Sequence, residues 1–289
     1  MNKNIKNLPE SIKMRLKNEA EKSHRIFAEV LQYYGMERFL YRLSRSSYAD
    51  KFILKGALMF NVWHVPNRRT TLDIDFLVYL SNVMNYIEKV IKEISTVEVP
   101  ADGIIFDTDS VRTSRIKEES EYEGIRVKLI GYLDRSRIPL QVDIGFGDPV
   151  YPKPRTIEYP SILDLPAPKL SGYTIESVIS EKFHAMIQHG QLNSRMKDFY
   201  DIWTLMRQFT IDSSALAEAL KRTFHHREIS LSSEKPLFSK EFYDDQSDRQ
   251  ALWKAFLKKS DIKHAPAKLS VLVGEIESFL MKSLHKISE

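Results

Sequence analysis

Cysteine is absent from the 289 residues. Disulfides, thiolate zinc sites and a cysteine nucleophile are therefore excluded. No run of about 18 apolar residues occurs, so no membrane span is expected. The opening "MNKNIKNLPESIKMRLKNEAEK" is charged throughout and lacks the apolar core of a secretory signal, so the chain reads as cytoplasmic. Also missing are the phosphate loop G-x-x-x-x-G-K-[ST], the dinucleotide fingerprint G-x-G-x-x-G and any zincin pattern. The histidines offer little. His184 and His189 stand five apart and do not share a helix face well, and His225 and His226 are adjacent. No internal repeat or low-complexity tract is present.

What is there is ordinary in bulk. The composition is 43% hydrophobic and 28% charged, enough to bury a sizeable core. The length suits one large domain or two closely packed ones. A net charge of +4 permits a polyanionic partner without requiring one.

Apolar residues recur at three- and four-residue spacing through residues 8–46, as in Ile26, Phe27, Val30, Leu31 and Tyr34, which predicts helices. Pro9 and Ser11 suit a helix start, and Gly35 suits a break between two helices. Next come a short strand "KFILKG", a two-turn helix "ALMFNVWH" stopped by Pro66, a strand "TTLDIDFLVYL" and an amphipathic helix "NVMNYIEKVIKEIS". Three strand-like runs follow, the last two joined by a hairpin turn at "DRSR". Six prolines between Pro149 and Pro168 predict an extended surface connector. The remainder reads as helices. The pattern predicts an α+β fold (α/β-like) with a mixed sheet flanked by helices and a helical C-terminal region. The expected division is N-terminal helices at 1–48, a core at 49–150, the connector at 151–170 and a helical domain at 171–289.

The chemistry concentrates in "RRTTLDIDFLVYL". Residues i and i+2 of a strand share a face, so Asp73 and Asp75 project together, with Leu72, Ile74 and Phe76 expected to point into the core. Adjacent carboxylates repel each other, and a divalent cation relieves the repulsion. Mg²⁺ takes one or two carboxylates together with phosphate oxygens. Gly56, after an apolar strand and before a helix start, would let backbone amides approach a phosphate. Arg69 and Thr71 are candidate phosphate donors. In "PLQVDIGFGD", Asp143 adds a third acid on a later strand. Two acids on one strand and one on a neighbour can hold two metal ions for phosphoryl or nucleotidyl transfer. Alone, Asp143 reads rather as a buried acid paired with an arginine.

The pattern "KGA…RRTTLDIDF…VDIGF" resembles the nucleotidyltransferase superfamily related to DNA polymerase β. The segments "FILKGALMFNVW", Arg69 to Phe76 and "SEKFHAMIQHGQLNSRMKDFYDIW" resemble one branch of it, the AbiEii/AbiGii toxin family that includes the MenT toxins. The resemblance spans residues 50–205. It implies a nucleotidyltransferase core, Mg²⁺ or Mn²⁺ as cofactor, and a nucleoside triphosphate as substrate. It also implies a toxin–antitoxin or phage-defence role with a cognate antitoxin, and a tRNA acceptor end as target. It places catalytic roles on Asp73, Asp75 and Asp143 as metal ligands, and on Lys182 and Asp198 in "KDFYDIW". Nucleotide contacts fall on Gly56, Ala57, Arg69, Thr71 and Lys182. Ala57 departs from the Gly, Ser or Thr usual at that place, so a hydroxyl donor is missing and backbone amides are left to serve. The residues by themselves also admit a small-molecule or protein acceptor, or an inactive nucleotide-binding module.

Overall fold

The computed structural model describes residues 7–66, 68–116, 124–189, 194–229 and 240–288. The chain divides into two compact units, Met1–Gly147 with Arg155–Gly172, and Asp148–Pro154 with Tyr173–Glu289.

The first unit begins with helices α1 (Leu8–Lys22) and α2 (Phe27–Arg45). The Asn7 side chain caps α1 by accepting from the Glu10 amide at 3.3 Å. The helices separate at residues 23–26, and α2 runs straight through Gly35. Gly35 is there for close packing instead: a methyl group at this position would lie 2.7 Å from Ile138 Cγ2. Strand β1 (Phe52–Lys55) leads into a 3-10 turn, Gly56–Leu58, and a single helical turn, α3 (Met59–Val62). The two-turn helix expected here is thus shorter, and it is too brief to carry a helix-dipole argument. Strand β2 (Asp73–Val78) and helix α4 (Met84–Ser95) follow. In α4, Ile87, Val90, Ile91 and Ile94 form one fully buried stripe. Burial of each such side chain contributes about 1.5–3 kcal/mol. Leu72 corrects the sequence reading: it precedes the strand and is 59% exposed.

Three long strands complete the centre: β3 (Ile104–Ile116), β4 (Gly124–Leu133) and β5 (Ser136–Phe146). The turn at Asp134 and Arg135 joins β4 to β5, with Leu133 paired to Ser136. The proline-rich stretch adds two short strands, β6 (Arg155–Glu158) and β7 (Lys169–Gly172). The seven strands form one mixed sheet in the order β3-β4-β5-β2-β1-β7-β6. Parallel pairs β2·β5 and β1·β7 sit among antiparallel ones. Helix α2 is anchored by buried polar contacts. Arg42 grips Asp102 through two bonds of 2.7 and 3.1 Å, and Glu37 accepts from Ser161 Oγ and the Ile162 amide at 2.9 and 2.8 Å.

The second unit is helical: α5 (Ile175–His189), α6 (Met196–Gln208), α7 (Ser213–His226), α8 (Lys240–Tyr243), α9 (Asp248–Lys259) and α10 (Leu269–Ser288). The run "KEFYDDQSDRQALWKAFLKKS", which has a helical pattern throughout, breaks at residues 244–247, where the Ser247 side chain accepts from the Gln250 amide and starts α9. Buried Phe183, Phe199, Ile202, Leu220, Phe224, Trp253, Leu272 and Ile276 fill the interior. No helix among the described residues is long and apolar enough to cross a membrane.

Candidate active site

The centre of the sheet holds a single row of charged residues. Antiparallel pairing sets Lys55 of β1 opposite Asp75 of β2. Parallel pairing sets Asp75 opposite Asp143 of β5, and antiparallel pairing sets Asp143 opposite Arg126 of β4. Cross-strand partners share a sheet face. Two acids are therefore flanked by two bases across four neighbouring strands. Asp73 shares the face of Asp75 and is paired with Gln141. The alternation that puts Asp73 and Asp75 outward puts Ile74 and Phe76 into the core, both fully buried.

Gly56 closes one side of the row. Its φ of +68° is a left-handed conformation that glycine adopts without strain. A Cβ there would overlap the Asp75 carboxylate, so the glycine also leaves this acid its space. Ala57 is nearly buried within the turn. Arg69 and Thr71 lie in the segment entering β2. Thr71 is buried, and its amide donates to Tyr33 Oη at 3.1 Å.

Asp143 is held tightly. Arg126 Nε donates to Oδ1 at 2.8 Å and Nη2 to Oδ2 at 2.7 Å, a two-pronged pairing. Gln141 Nε2 adds a third bond at 3.2 Å. The bonded Asp143 carboxylate raises the Arg126 pKa against partial burial, and the charges of Asp73 and Asp75 act in the same direction.

The sequence profile of the nucleotidyl transferase AbiEii toxin family, a type IV toxin–antitoxin system, matches residues 38–273. The chain belongs to this family.

Two solved structures are similar to this AbiEii-family protein. One is a candidate nucleotidyltransferase from Helicobacter pylori, at 15% identity and a TM-score of 0.48, covering 85% of this chain and 93% of that one. The other is JHP933 from Helicobacter pylori, at 15% identity and a TM-score of 0.44, covering 87% and 93%. No curated protein matches the sequence. The protein is accordingly a nucleotidyltransferase by family, with a mixed sheet and a helical C-terminal region.

In the second unit of this AbiEii-family protein, Lys182 and Asp198 meet. Lys182 Nζ lies 3.1 Å from Asp198 Oδ1 and 2.6 Å from Asp201 Oδ2. Arg195 Nε donates to Asp198 Oδ2 at 2.7 Å. The Lys182 side chain is 12% exposed and both aspartates 1%, so this is a buried ionic network. Burial alone would push the Asp198 carboxyl up. The cations of Lys182, Arg195 and Lys197 overcome it and hold the group at about 2. Asp198 and Asp201, three apart on α6, share the face turned to α5.

Asp73 and Asp75 side by side match the one or two carboxylates that Mg²⁺ takes with phosphate oxygens. Asp143 gives both of its oxygens to Arg126. Among the described residues, no group of three or more His, Asp or Glu stands ready to hold a metal ion.

Sequence reasoning missed Arg126, Lys55 and the second acid on Lys182. Arg126 was within reach. Counting back seven residues on each strand from the paired Leu133 and Ser136 arrives at Arg126 opposite Asp143.

Proposed function

We propose that this protein transfers a nucleoside monophosphate from a nucleoside triphosphate to an acceptor hydroxyl, that of the 3′ end of tRNA, and so blocks translation. The observation that carries the reading is the row of Asp75 against Asp143, with Asp73 on the same face and Gly56 alongside. Asp73 and Asp75 would hold Mg²⁺ or Mn²⁺, which supplies Lewis-acid stabilisation of charge on the phosphates. Backbone amides at Gly56 and Ala57, with Arg69 and Thr71, are the proposed phosphate contacts. The acceptor oxygen forms a bond to the α-phosphorus while the bond to the bridging oxygen breaks. Pyrophosphate leaves with that electron pair and the hydroxyl proton goes to solvent. The family resemblance assigns Lys182 to neutralising charge on the leaving group, oriented by its Asp198 partner.

The lysines and arginines of "KRTFHHREI" and "LWKAFLKKSDIKH" support an RNA acceptor through phosphate contacts, while Phe224 and Trp253 of the same runs are buried in the interior. This role implies a cytoplasmic location and a cognate protein antitoxin. The decisive assay incubates the protein with each labelled nucleoside triphosphate, Mg²⁺ and total tRNA, and reads tRNA length on a sequencing gel. Extension with one or more nucleotides is expected. Label appearing on protein or a small molecule alone would sink the tRNA reading. In cells, wild-type expression should arrest growth and Asp73→Ala should not. Equal arrest by both would remove catalysis from the mechanism.

A further inference from the structure

We propose that Arg126 is a built-in cation of this active site, standing where a second metal ion would otherwise stand, and that the site takes a single divalent ion on Asp73 and Asp75. The inference rests on the nucleotidyltransferase reading above and specifies its metal count.

The two-ion scheme needs all three acids to present oxygens to metal. Asp143 presents them to Arg126 instead, through two bonds of 2.8 and 2.7 Å, with Gln141 supporting at 3.2 Å. The pairing is built into the backbone. Arg126 and Asp143 are direct cross-strand partners, and their register is fixed by the tight turn between β4 and β5. Only 17% of the Asp143 side chain is exposed. A second ion at Asp143 would first have to displace a charge-assisted fork, a strong hydrogen-bond geometry.

Arg126 also has donors to spare. A guanidinium carries five N–H groups in a fixed fork. Two engage Asp143, and the side chain is 38% exposed, so the other three are open to a phosphate oxygen on the same face as Asp73 and Asp75. Lys128, two residues along β4 on that face and exposed, extends the positive edge.

The test counts bound Mn²⁺ by electron paramagnetic resonance titration in the presence of an α,β-methylene nucleoside triphosphate. Wild type is expected to bind one ion per chain. Asp73→Asn should weaken that ion at least tenfold, whereas Asp143→Asn should leave both count and affinity within about threefold. Arg126→Met should weaken the triphosphate analogue about tenfold, and Arg126→Lys should recover only part of the loss. Two ions on wild type, or loss of the ion in Asp143→Asn, overturns the built-in cation while leaving the nucleotidyltransferase reading intact. Failure of wild type to bind either Mn²⁺ or the analogue overturns the nucleotidyltransferase reading itself.

Discussion

Gly56 and Lys182 show how single residues set local geometry and charge. A side chain at position 56 meets two penalties. The left-handed backbone costs an ordinary residue roughly 1–2 kcal/mol, and the new methyl overlaps the Asp75 carboxylate. Gly56→Ala should therefore lower stability by at least that amount in urea unfolding and weaken nucleotide binding far more than the stability loss accounts for. Lys182 is different, because its first effect is structural. It neutralises two aspartates that are each almost wholly buried. Removing one partner of a buried ion pair typically destabilises by about 3–5 kcal/mol. Lys182→Met should lose stability on that scale, read by denaturant melts, so any lost activity must be measured where the variant is still folded. The Asp198 carboxyl should then titrate above its present value of about 2, because burial raises it and the largest opposing cation is gone. Carboxyl carbon NMR would detect the rise, and an unmoved titration would show that Lys182 does not hold that charge.

Helix α2 and its contact with β5 belong to the scale of elements. Gly35 lies in the middle of the helix, and a methyl group there would come within 2.7 Å of Ile138 Cγ2. Overpacking of this kind costs typically about 1–3 kcal/mol. Gly35→Ala should destabilise within that range, and Ile138→Leu in the same chain, which removes the β-branch methyl Cγ2, should recover part of the loss. Additive losses in the double variant would show that the helix does not rest on Ile138 as described. The same glycine marks where the sequence stops being legible. Periodicity located α2, α4 and the C-terminal helices, because burial of a stripe leaves its spacing in the sequence. It also located β1 to β5. It misread Gly35 as a helix break, because the reason for the glycine lies on a strand about a hundred residues away. Strands β6 and β7 were invisible for a related reason: four-residue strands among prolines have no room for alternation to develop. In the candidate site, Asp73 and Asp75 could be paired from local spacing. The engagement of Asp143 by Arg126 could be seen only once the hairpin register was counted out.

At the scale of the whole molecule, the second compact unit buries a group that responds to mild acid. The second unit buries His184 beside Phe224, and its Nε2 has no hydrogen-bond partner among the described residues. Burial lowers its pKa to about 4. Arg227 and His189 push the same way, and Asp148 opposes them. In the unfolded chain the group returns to about 6.5. Between these values the unfolded chain binds the proton more readily than the folded one, so folding stability falls as pH falls. The contribution is fully present above pH 6.5 and is lost by about pH 4. Trp203 and Trp253 both lie in the second unit and Trp63 in the first, so Trp63→Phe leaves fluorescence reporting on the second unit alone. In that background, urea midpoints should decline steadily from pH 6.5 to about 4. His184→Leu should flatten the decline, because an apolar side chain among the same neighbours has no proton to gain. An equally steep decline in the His184→Leu chain would move the acid sensitivity to another group. Another buried ionic group in that unit is the Asp148–Arg227 pair, which Asp148→Asn would then test in the same measurement.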